Sequence, residues 1–399
     1  MTPRTRFPRA VIRAGILTGV LAGSVMLGLA GCTATSARTT GTSDGAGVVG
    51  IALPSSDDAT WDDAGAALVE ELRARDFRVD LQFAADDART QASQVQNMLT
   101  KGTDAIVLAP LAGDDAAGPA QTAADDGVPV VVFGRDRGVP GARFVATADP
   151  GAVGRAEAEA LLEAIVAAPA DPTSGDSDAG TDATTSPVTA GETPRVAVLS
   201  GAAADGGTER LHRAALDVLS AAADAGTIDI VSGSTWESAA VADDVADEEE
   251  RAAQRIDDLR AADAPPTAVL ALGDAVTRGM VRALTAPASD DAGPTPSPSD
   301  SGTGAAVVGP LVAVGSGADD DTVSALRDGA LTATVIVDVR ALAAAAADAI
   351  EALLADEVPE GDGSQLAGLV DVPAFVSPPL TVRASEADRA RDLQDGGTR

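Results

Sequence analysis

Short apolar runs recur along the chain and are separated by longer segments of mixed polarity. Each run spans four to six residues, and most of the runs hold few charged side chains or none. Such runs are typical of strands that are buried on both faces of a parallel sheet. The pattern predicts strands at Val48–Leu53, Val79–Phe83, Ala105–Ala109, Val128–Phe133, Val196–Leu199, Ile228–Val231, Ala268–Leu272 and Leu311–Val314.

The segments between these runs show helical spacing. Leu68 and Leu72 are four positions apart, and Gln91, Val95 and Met98 fall on one face of a helix. Strands and helices alternate at about 25–30 residues per unit, which predicts a doubly wound α/β fold. A mature chain of about 370 residues has room for two such domains.

The N-terminus combines a basic segment with an apolar one. The basic segment carries Arg4, Arg6, Arg9 and Arg13. The following segment, Ala14–Leu29, is too short and too rich in glycine and alanine for a stable membrane span. This combination predicts a secretory signal peptide over residues 1–31.

Cys32 is the one cysteine in the sequence and directly follows the signal peptide. The stretch Leu29-Ala30-Gly31-Cys32 resembles the lipobox of bacterial lipoproteins, in which the cysteine is diacylated and becomes the mature N-terminus. The resemblance implies that Cys32 anchors an exported protein to the extracytoplasmic face of the cell membrane, with residues 32–46 as a flexible tether. The alternative is a small buried thiol.

The charge balance argues against several partners. Without the four arginines of the signal peptide, 24 basic residues stand against 61 acidic ones, a formal net charge of −37. Such a field repels nucleic acid and anionic lipid, so we expect no DNA or RNA partner and no electrostatic membrane binding. A single cysteine also excludes an intramolecular disulfide and a thiolate metal cluster.

Two long segments lack the apolar residues that a core requires. Residues 169–194 and 286–306 consist almost entirely of Pro, Gly, Ser, Thr, Asp and Ala. They cannot bury enough apolar surface to offset the entropic cost of ordering, so we expect both to be disordered inserts. We interpret residues 386–399 as a C-terminal tail.

Distinctive motifs are concentrated between Val49 and Ala156. They are Gly50-Ile51-Ala52-Leu53-Pro54, Thr60-Trp61-x3-Gly65, Asp80-Leu81-Gln82-Phe83-Ala84-x-Asp86-Asp87, Gln91-x2-Gln94-x2-Asn97-Met98-Leu99-x-Lys101-Gly102-x-Asp104-Ala105 and Gly127-Val128-Pro129-Val130. Together they resemble the type I periplasmic substrate-binding proteins, in particular the xylose and multiple-sugar branch. Thinner matches follow at Trp236, at Leu272-Gly273-Asp274 and in the apolar run that ends at Ile336.

The resemblance implies two doubly wound parallel-sheet lobes joined by a three-crossing hinge. Lobe 1 would comprise residues 47–148 with 337–360, and lobe 2 would comprise residues 149–336 with 361–385. A small ligand, a sugar in this branch, would be held between the lobes and delivered to the permease subunits of an ABC importer. Ligands of open α/β sheets sit beyond the carboxyl ends of the strands, so the loops there are the place for a site.

The resemblance also implies a set of ligand-binding residues. They are Trp61, Phe133, Arg135, Asp149, Trp236, Asp274 and Asp319. A sugar site needs aromatic faces that cover C–H surface and polar groups that bond hydroxyls in pairs. Five of these assignments have an alternative: Trp61 and Trp236 could be packing residues, Arg135 could lie on the surface, and Asp149 and Asp274 could be helix caps.

Several polar positions of the family are missing. Thr60 stands in place of an arginine, and Gly206 with Gly207 replaces paired asparagines. Ile336 with Val337 replaces the Tyr-Lys of the last strand. Losing one bidentate partner costs about 1–3 kcal/mol, and five or six such losses exceed what typical micromolar binding supplies. Either the ligand is smaller or less hydroxylated than a monosaccharide, or the chain is a receptor or scaffold without a monosaccharide ligand.

Catalytic and metal chemistry has little support in the sequence. His212 is the one histidine, and it lies in a helical run with no cysteine or second histidine to complete a dyad or a metal site. We therefore expect His212 on the surface. The sequence predicts no catalytic residue, no metal site and no cofactor, and hence a binding protein and not an enzyme.

Overall fold

The computed structural model describes residues 46–56, 59–111, 117–135, 139–168, 192–202, 207–242, 247–286, 311–367 and 370–390. The predicted signal peptide, Cys32 and nearly all of the tether lie outside the described residues. So do residues 169–191 of the first predicted insert and residues 287–306 of the second. The corresponding expectations therefore remain predictions.

The described strands follow the apolar runs closely. They are β1 (Gly47–Leu53), β2 (Phe77–Phe83), β3 (Ala105–Leu108), β4 (Val130–Phe133), β5 (Ala142–Ala148), β6 (Arg195–Ser200), β7 (Asp229–Ser232), β8 (Ala268–Leu272), β9 (Val312–Ser316), β10 (Ala333–Val337), β11 (Gly363–Ala367), β12 (Val370–Ser377) and β13 (Pro379–Arg383). Every strand predicted from an apolar run is present, with ends that agree to within two residues.

Helices connect most of these strands. They are α1 (Ala59–Ala74), α2 (Ala88–Lys101), α3 (Ala117–Asp125), α4 (Pro150–Ala167), α5 (Gly207–Asp224), α6 (Trp236–Ala239), α7 (Glu248–Arg260), α8 (Asp274–Thr285), α9 (Asp320–Asp328) and α10 (Val339–Leu354). None of the helices among the described residues combines the length and the apolar character needed to cross a lipid bilayer.

The described strands form two separate sheets. The sheet of lobe 1 has the order β11-β12-β5-β4-β3-β1-β2, and the sheet of lobe 2 has the order β13-β10-β9-β8-β6-β7. Neighbouring strands are parallel except at two places, where β11 runs antiparallel to β12 and β13 runs antiparallel to β10. Two parallel-sheet lobes covered by helices confirm the fold class predicted from the sequence.

Within the described residues, the chain passes between the lobes at three points. The first crossing joins β5 to α4, the second joins β10 to α10, and the third joins β12 to β13. Helix α10 returns to lobe 1, where it buries Leu342, Ala346 and Ile350 in the same core as strands β1 and β4. Its small alanines let the helix lie close to the sheet.

The C-terminal segment departs from the sequence prediction. Residues 361–385 are predicted to belong to lobe 2, but β11 and β12 pair through β5 into the sheet of lobe 1. Only β13 joins lobe 2. The half-exposed edge strand β11 has no continuous apolar run, so the pattern gives no signal for it. The predicted tail also begins too early, because Ala387 and Ala390 are buried in the core of lobe 2.

Candidate ligand-binding site

A cavity of about 420 Å³ lies between the two lobes, at the carboxyl ends of their strands. The start of α1 and the end of β4 form its wall on lobe 1, and the starts of α8 and α9 form its wall on lobe 2. The second crossing, from Ile336 to Arg340, closes one side. Parallel strands end at the same edge of a sheet, so residues far apart in sequence meet in this cavity.

Trp61, Phe133 and Arg135 lie together on the lobe 1 side. Trp61 and Phe133 line the cavity, and the side chain of Phe133 is otherwise buried in the lobe 1 core. The Arg135 guanidinium lies over the Trp61 ring, with 5.2 Å between its central carbon and the ring centroid. This is a cation–π contact. A Cβ atom at Gly134 would lie 3.1 Å from the indole, so glycine allows the ring to pack there.

Asp274 links the two lobes directly. It is the first residue of α8, and its Oδ2 accepts a hydrogen bond of 2.9 Å from the hydroxyl of Thr60 on α1. The carboxylate has room because residue 317 is glycine: a Cβ atom there would lie 2.9 Å from Asp274 Cγ. The Asp274 carboxylate thus reaches across the cavity, and the cap position of α8 is taken by Gly273.

Asp149 instead caps its own helix. Its carboxylate accepts hydrogen bonds from the backbone N–H groups of Gly151, at 2.9 Å, and Ala152, at 3.2 Å. These bonds satisfy otherwise unpaired donors at the start of α4. The neighbouring residues Ala148 and Pro150 line the cavity, but the Asp149 side chain is directed to the helix. The expected convergence of Asp149 with the other candidates is therefore wrong.

Asp319 is both a cavity residue and a helix cap. It lines the cavity, and its Oδ1 accepts a hydrogen bond of 2.8 Å from the backbone N–H of Thr322 at the start of α9. Its second carboxylate oxygen lies 3.7 Å from a guanidinium nitrogen of Arg278. Asp338 likewise lines the cavity and caps α10 through Ala341.

Trp236 lies away from the cavity wall and packs against His212. The two rings meet edge to face, with 5.7 Å between centroids and an interplanar angle of 77°. His212 is 3% exposed, and its Nε2 lies 3.1 Å from the carbonyl oxygen of Gly233. Burial lowers the pKa of His212. The prediction of a surface histidine is thus wrong, and Trp236 has the packing role that was its alternative.

The sequence interpretation missed Glu157 and Ser316. Glu157 lies on α4 and is fully buried, and its Oε1 is hydrogen-bonded to the hydroxyl of Ser316, which lines the cavity. Burial raises the pKa of Glu157 to about 8. The helical spacing of Val153, Glu157 and Leu161 places this acid on the apolar face of α4, and that spacing was a signal available in the sequence.

The remainder of the wall is largely apolar. Ile336 and Val337, which stand where the family has Tyr-Lys, both line the cavity, as does Gly207 at the start of α5. Gly206 lies outside the described residues. Among the described residues of the wall, the ionisable side chains are Asp63, Asp274, Asp319, Asp338 and Arg340, and no asparagine or glutamine is present. Arg340 is paired with Glu70 at 3.0 Å.

Two known proteins are similar to this chain in sequence. The chain is 26% identical over 369 residues to the multiple sugar-binding periplasmic receptor ChvE of Rhizobium radiobacter, covering 88% of this chain and 90% of the receptor. It is 33% identical over 118 residues to the multiple sugar-binding periplasmic protein SbpA of Azospirillum brasilense, covering 29% of this chain and 33% of that protein.

Solved structures with the same fold include two transporter solute-binding proteins. One, from Clostridium phytofermentans with bound β-D-glucose, superposes with a TM-score of 0.66 at 23% identity and covers 88% of this chain and 98% of that chain. The other, a carbohydrate transporter protein from Chloroflexus aurantiacus in complex with D-glucose, has a TM-score of 0.66 at 24% identity, covering 88% and 96%.

A family model described as periplasmic binding protein domain matches residues 49–357. The match spans both lobes and includes the first two crossings between them. The family predicted from the sequence motifs is confirmed. This chain belongs to the periplasmic binding protein domain family.

Proposed function

We propose that this chain is an extracytoplasmic substrate-binding protein that captures a small ligand, a sugar, by lobe closure and delivers it to an ABC importer. The observation that carries the proposal is the cavity of about 420 Å³ whose wall both lobes share. Its volume lies in the range of small-molecule sites, about 300–1,000 Å³. Trp61 and Phe133 supply aromatic surface from lobe 1, and Asp274 and Ser316 supply polar groups from lobe 2.

The relatives support a sugar as the ligand. Two curated relatives are named multiple sugar-binding proteins, and two structures with the same fold hold glucose. The wall of this cavity offers hydroxyl and carboxylate groups for hydrogen bonding, but no amide side chain among its described residues. A sugar with few hydroxyls, such as a pentose or a deoxy sugar, fits this wall better than a hexose.

Lobe closure accounts for capture without covalent chemistry. The Thr60–Asp274 hydrogen bond is a contact that forms only when the lobes approach each other. Hinge closure around a ligand is a common mode of action for two-lobed proteins of this kind. We accordingly assign no catalytic residue to this chain.

The sequence supports a membrane anchor for the binding protein. Cys32 follows the predicted signal peptide and precedes a segment rich in Thr, Ser and Gly. An acylated Cys32 with a flexible tether would keep the lobes close to a permease in the same membrane. The permease subunits are thus the proposed protein partner.

Calorimetric titration with D-glucose, D-xylose, L-arabinose and L-fucose tests the proposal. The Trp236→Phe variant leaves Trp61 as the one tryptophan, so its fluorescence reports on the cavity. We expect at least one sugar to bind and to change Trp61 fluorescence, and a Trp61→Phe variant to lose that change while Trp236 remains. Absence of binding for every sugar would overturn the sugar assignment.

A receptor or scaffold without a sugar ligand is the second candidate. The capping role of Asp149 and the apolar positions Ile336 and Val337 favour it. Asp274 argues against it, because its carboxylate lines the cavity and bonds to Thr60 of the other lobe. Failure of the sugar titration with intact folding would favour this second function.

A further inference from the structure

Glu157 and Ser316 form a hydrogen-bonded pair behind the lobe 2 wall of the cavity. Glu157 is completely buried within α4, whereas Ser316 ends β9 and lines the cavity. The Ser316 hydroxyl is bonded to Glu157 Oε1. Glu157 Oε2 has no hydrogen-bond partner among the described residues. An acid buried in this way has a large effect on the few polar atoms next to it.

The Ser316 hydroxyl has one further partner. The backbone N–H of Gly273 donates to Ser316 Oγ at 2.9 Å, and the backbone N–H of Ser316 donates to Thr277 Oγ1 at 2.8 Å. Gly273 immediately precedes α8, so these bonds hold Ser316 between α4 and the start of α8. The Ser316 side chain is therefore fixed in position, and only the direction of its hydroxyl proton can vary.

The protonation state of Glu157 decides where that proton points. A serine hydroxyl has one donor and two acceptor sites. If Glu157 is a neutral acid that donates to Ser316 Oγ, both acceptor sites of Oγ are filled, by Glu157 and by Gly273. The one Ser316 proton is then available to the cavity. If Glu157 is ionised it can only accept, so the Ser316 proton turns towards it and the cavity loses a donor.

The surroundings of Glu157 favour the neutral acid. Burial raises its pKa to about 8, the Ser316 hydrogen bond opposes this change, and the negative charge of Asp274 adds to it. Strands β8, β9 and β10, which pack against α4, contain no charged residue. On β13, Arg383 is paired with the exposed Glu163 of α4.

Helix α5 also packs against α4 without neutralising Glu157. Its buried histidine, His212, is directed to the Gly233 carbonyl, and burial lowers its pKa. The charged residues of the same helix are exposed, and they are Glu209, Arg210, Arg213, Asp217 and Asp224. Among the described residues, Asp274 is thus the charged group that acts on Glu157.

We propose that Ser316 is a ligand-recognition hydroxyl, which uncharged Glu157 positions as a hydrogen-bond donor to an acceptor oxygen of the bound molecule. Ring ether and carbonyl oxygens are acceptors without a proton of their own, and they match a group that can only donate. This inference rests on the proposed function. It adds a specificity residue, Ser316, and a positioning residue, Glu157, that the family resemblance did not supply.

Titration of the ligand-free protein by NMR tests the pair without any sugar. The Gly273 amide donates directly to Ser316 Oγ, so its chemical shift responds when the Ser316 proton moves. We expect this amide to titrate near pH 8 in the wild type and to be flat in Glu157→Gln, whose side-chain amide donates to Ser316 as the neutral acid does. Glu159→Gln, an exposed acid on the same helix, is the matched control and should titrate like the wild type. The proposal is overturned if the Gly273 amide shift of the wild type does not change with pH, or if it titrates in Glu157→Gln as it does in the wild type.

Binding of D-xylose, a pentose of the panel, at about pH 6.5 and about pH 9.5 tests recognition. We expect wild-type affinity to fall about tenfold at the higher pH, the cost of one hydrogen bond. The affinity of Glu157→Gln should change less than twofold between the two pH values. Ser316→Ala should bind about tenfold more weakly than the wild type at about pH 6.5 and about as tightly as the wild type at about pH 9.5. If Ser316→Ala binds as tightly as the wild type at about pH 6.5, the recognition role is wrong.

The two experiments separate this inference from the proposed function. If D-glucose and the other sugars of the panel fail to bind, the sugar assignment falls, and the Gly273 titration alone accepts or rejects the arrangement of the pair. If a sugar binds with a pH profile that Glu157→Gln does not alter, the proposed function stands and the inference fails. If another sugar of the panel binds more tightly than D-xylose, it replaces D-xylose in the affinity measurement.

Discussion

Thr60 and Asp274 are 214 positions apart in sequence, yet the hydroxyl of one donates to the carboxylate of the other across the cleft. Each residue lies in the first turn of a helix, and the two helices pack on different sheets. The bond therefore reports on the distance between the lobes, and it involves one of the charged groups that line the cavity. Hydrogen bonds to charged groups contribute about 1.5–3 kcal/mol, so this bond can shift the balance between open and closed lobes.

Replacing Thr60 by valine should favour the open arrangement. Valine keeps the shape of threonine but lacks the hydroxyl, so the bond to Asp274 is lost. We expect the ligand-free protein to show a larger radius of gyration in small-angle X-ray scattering. Thr100→Val, which removes an exposed hydroxyl on α2, is the matched control and should leave the radius unchanged. Equal radii for all three proteins would show that the bond does not hold the lobes together.

Truncating Trp61 should weaken ligand binding by about 1–3 kcal/mol, the range for a stacking aromatic residue. The effect is specific if Trp236→Ala, which removes an indole packed on His212, leaves affinity unaltered while lowering stability. Calorimetric titration and thermal unfolding of both variants provide the measurement. Loss of affinity in Trp236→Ala alone would reverse the roles assigned to the two tryptophans.

The buried acid makes stability depend on pH. Between about pH 4.5, the ordinary pKa of glutamate, and about pH 8, its pKa here, folded Glu157 keeps a proton that the unfolded chain has lost. The free energy of unfolding therefore falls as pH rises through this window and levels off above it. Glu157→Gln removes this contribution. Its free energy of unfolding should therefore exceed that of the wild type by a margin that grows with pH, to about 4 kcal/mol at pH 8. Urea unfolding of both proteins between about pH 4.5 and about pH 8 measures this difference. The same pH dependence of the unfolding free energy in both proteins would contradict the prediction.

Asp149 should matter for stability and not for the ligand. Asp149→Ala removes the cap of α4 and should cost about 1 kcal/mol of unfolding free energy, whereas Asp149→Asn keeps a capping oxygen and should cost less. Ligand affinity should be the same in both variants. A selective loss of affinity in Asp149→Ala would return this residue to the ligand site.

The proposed anchor is tested by Cys32→Ser. The variant should appear in soluble fractions, because serine cannot carry the thioether-linked lipid, while the wild type stays with membranes. Mass spectrometry of the wild type should find diacylglycerol on Cys32. A variant that remains membrane-associated would contradict the anchor.

Strands buried on both faces were predictable because their signal is local. Ala268–Leu272 is apolar throughout, and it forms the fully buried strand β8 with the predicted bounds. The hairpin of β11 and β12 was not predictable in the same way. The edge strand β11 is largely exposed, and β12 owes its place to pairing with β5. Tertiary contacts decide the lobe to which such a segment belongs.

The residues of the candidate site were likewise predictable only in part. Trp61, Phe133, Asp274 and Asp319 line the cavity as the motifs indicated. An aspartate at a strand end serves equally as a cap or as a ligand group, and sequence alone cannot separate the two, as Asp149 shows. The Glu157–Ser316 pair joins residues 159 positions apart, and only the fold brings them together.

The third crossing has a consequence for how the chain folds after export. Val145 pairs with Ala374 in one sheet, and Ile336 pairs with Leu380 in the other, so β12 and β13, the last of the described strands, complete both sheets. Neither sheet has its full set of strands until this segment is in place. Such long-range pairing slows folding and leaves the edges of β5 and β10 exposed meanwhile. The completion of one lobe is therefore coupled to the completion of the other through a single short segment.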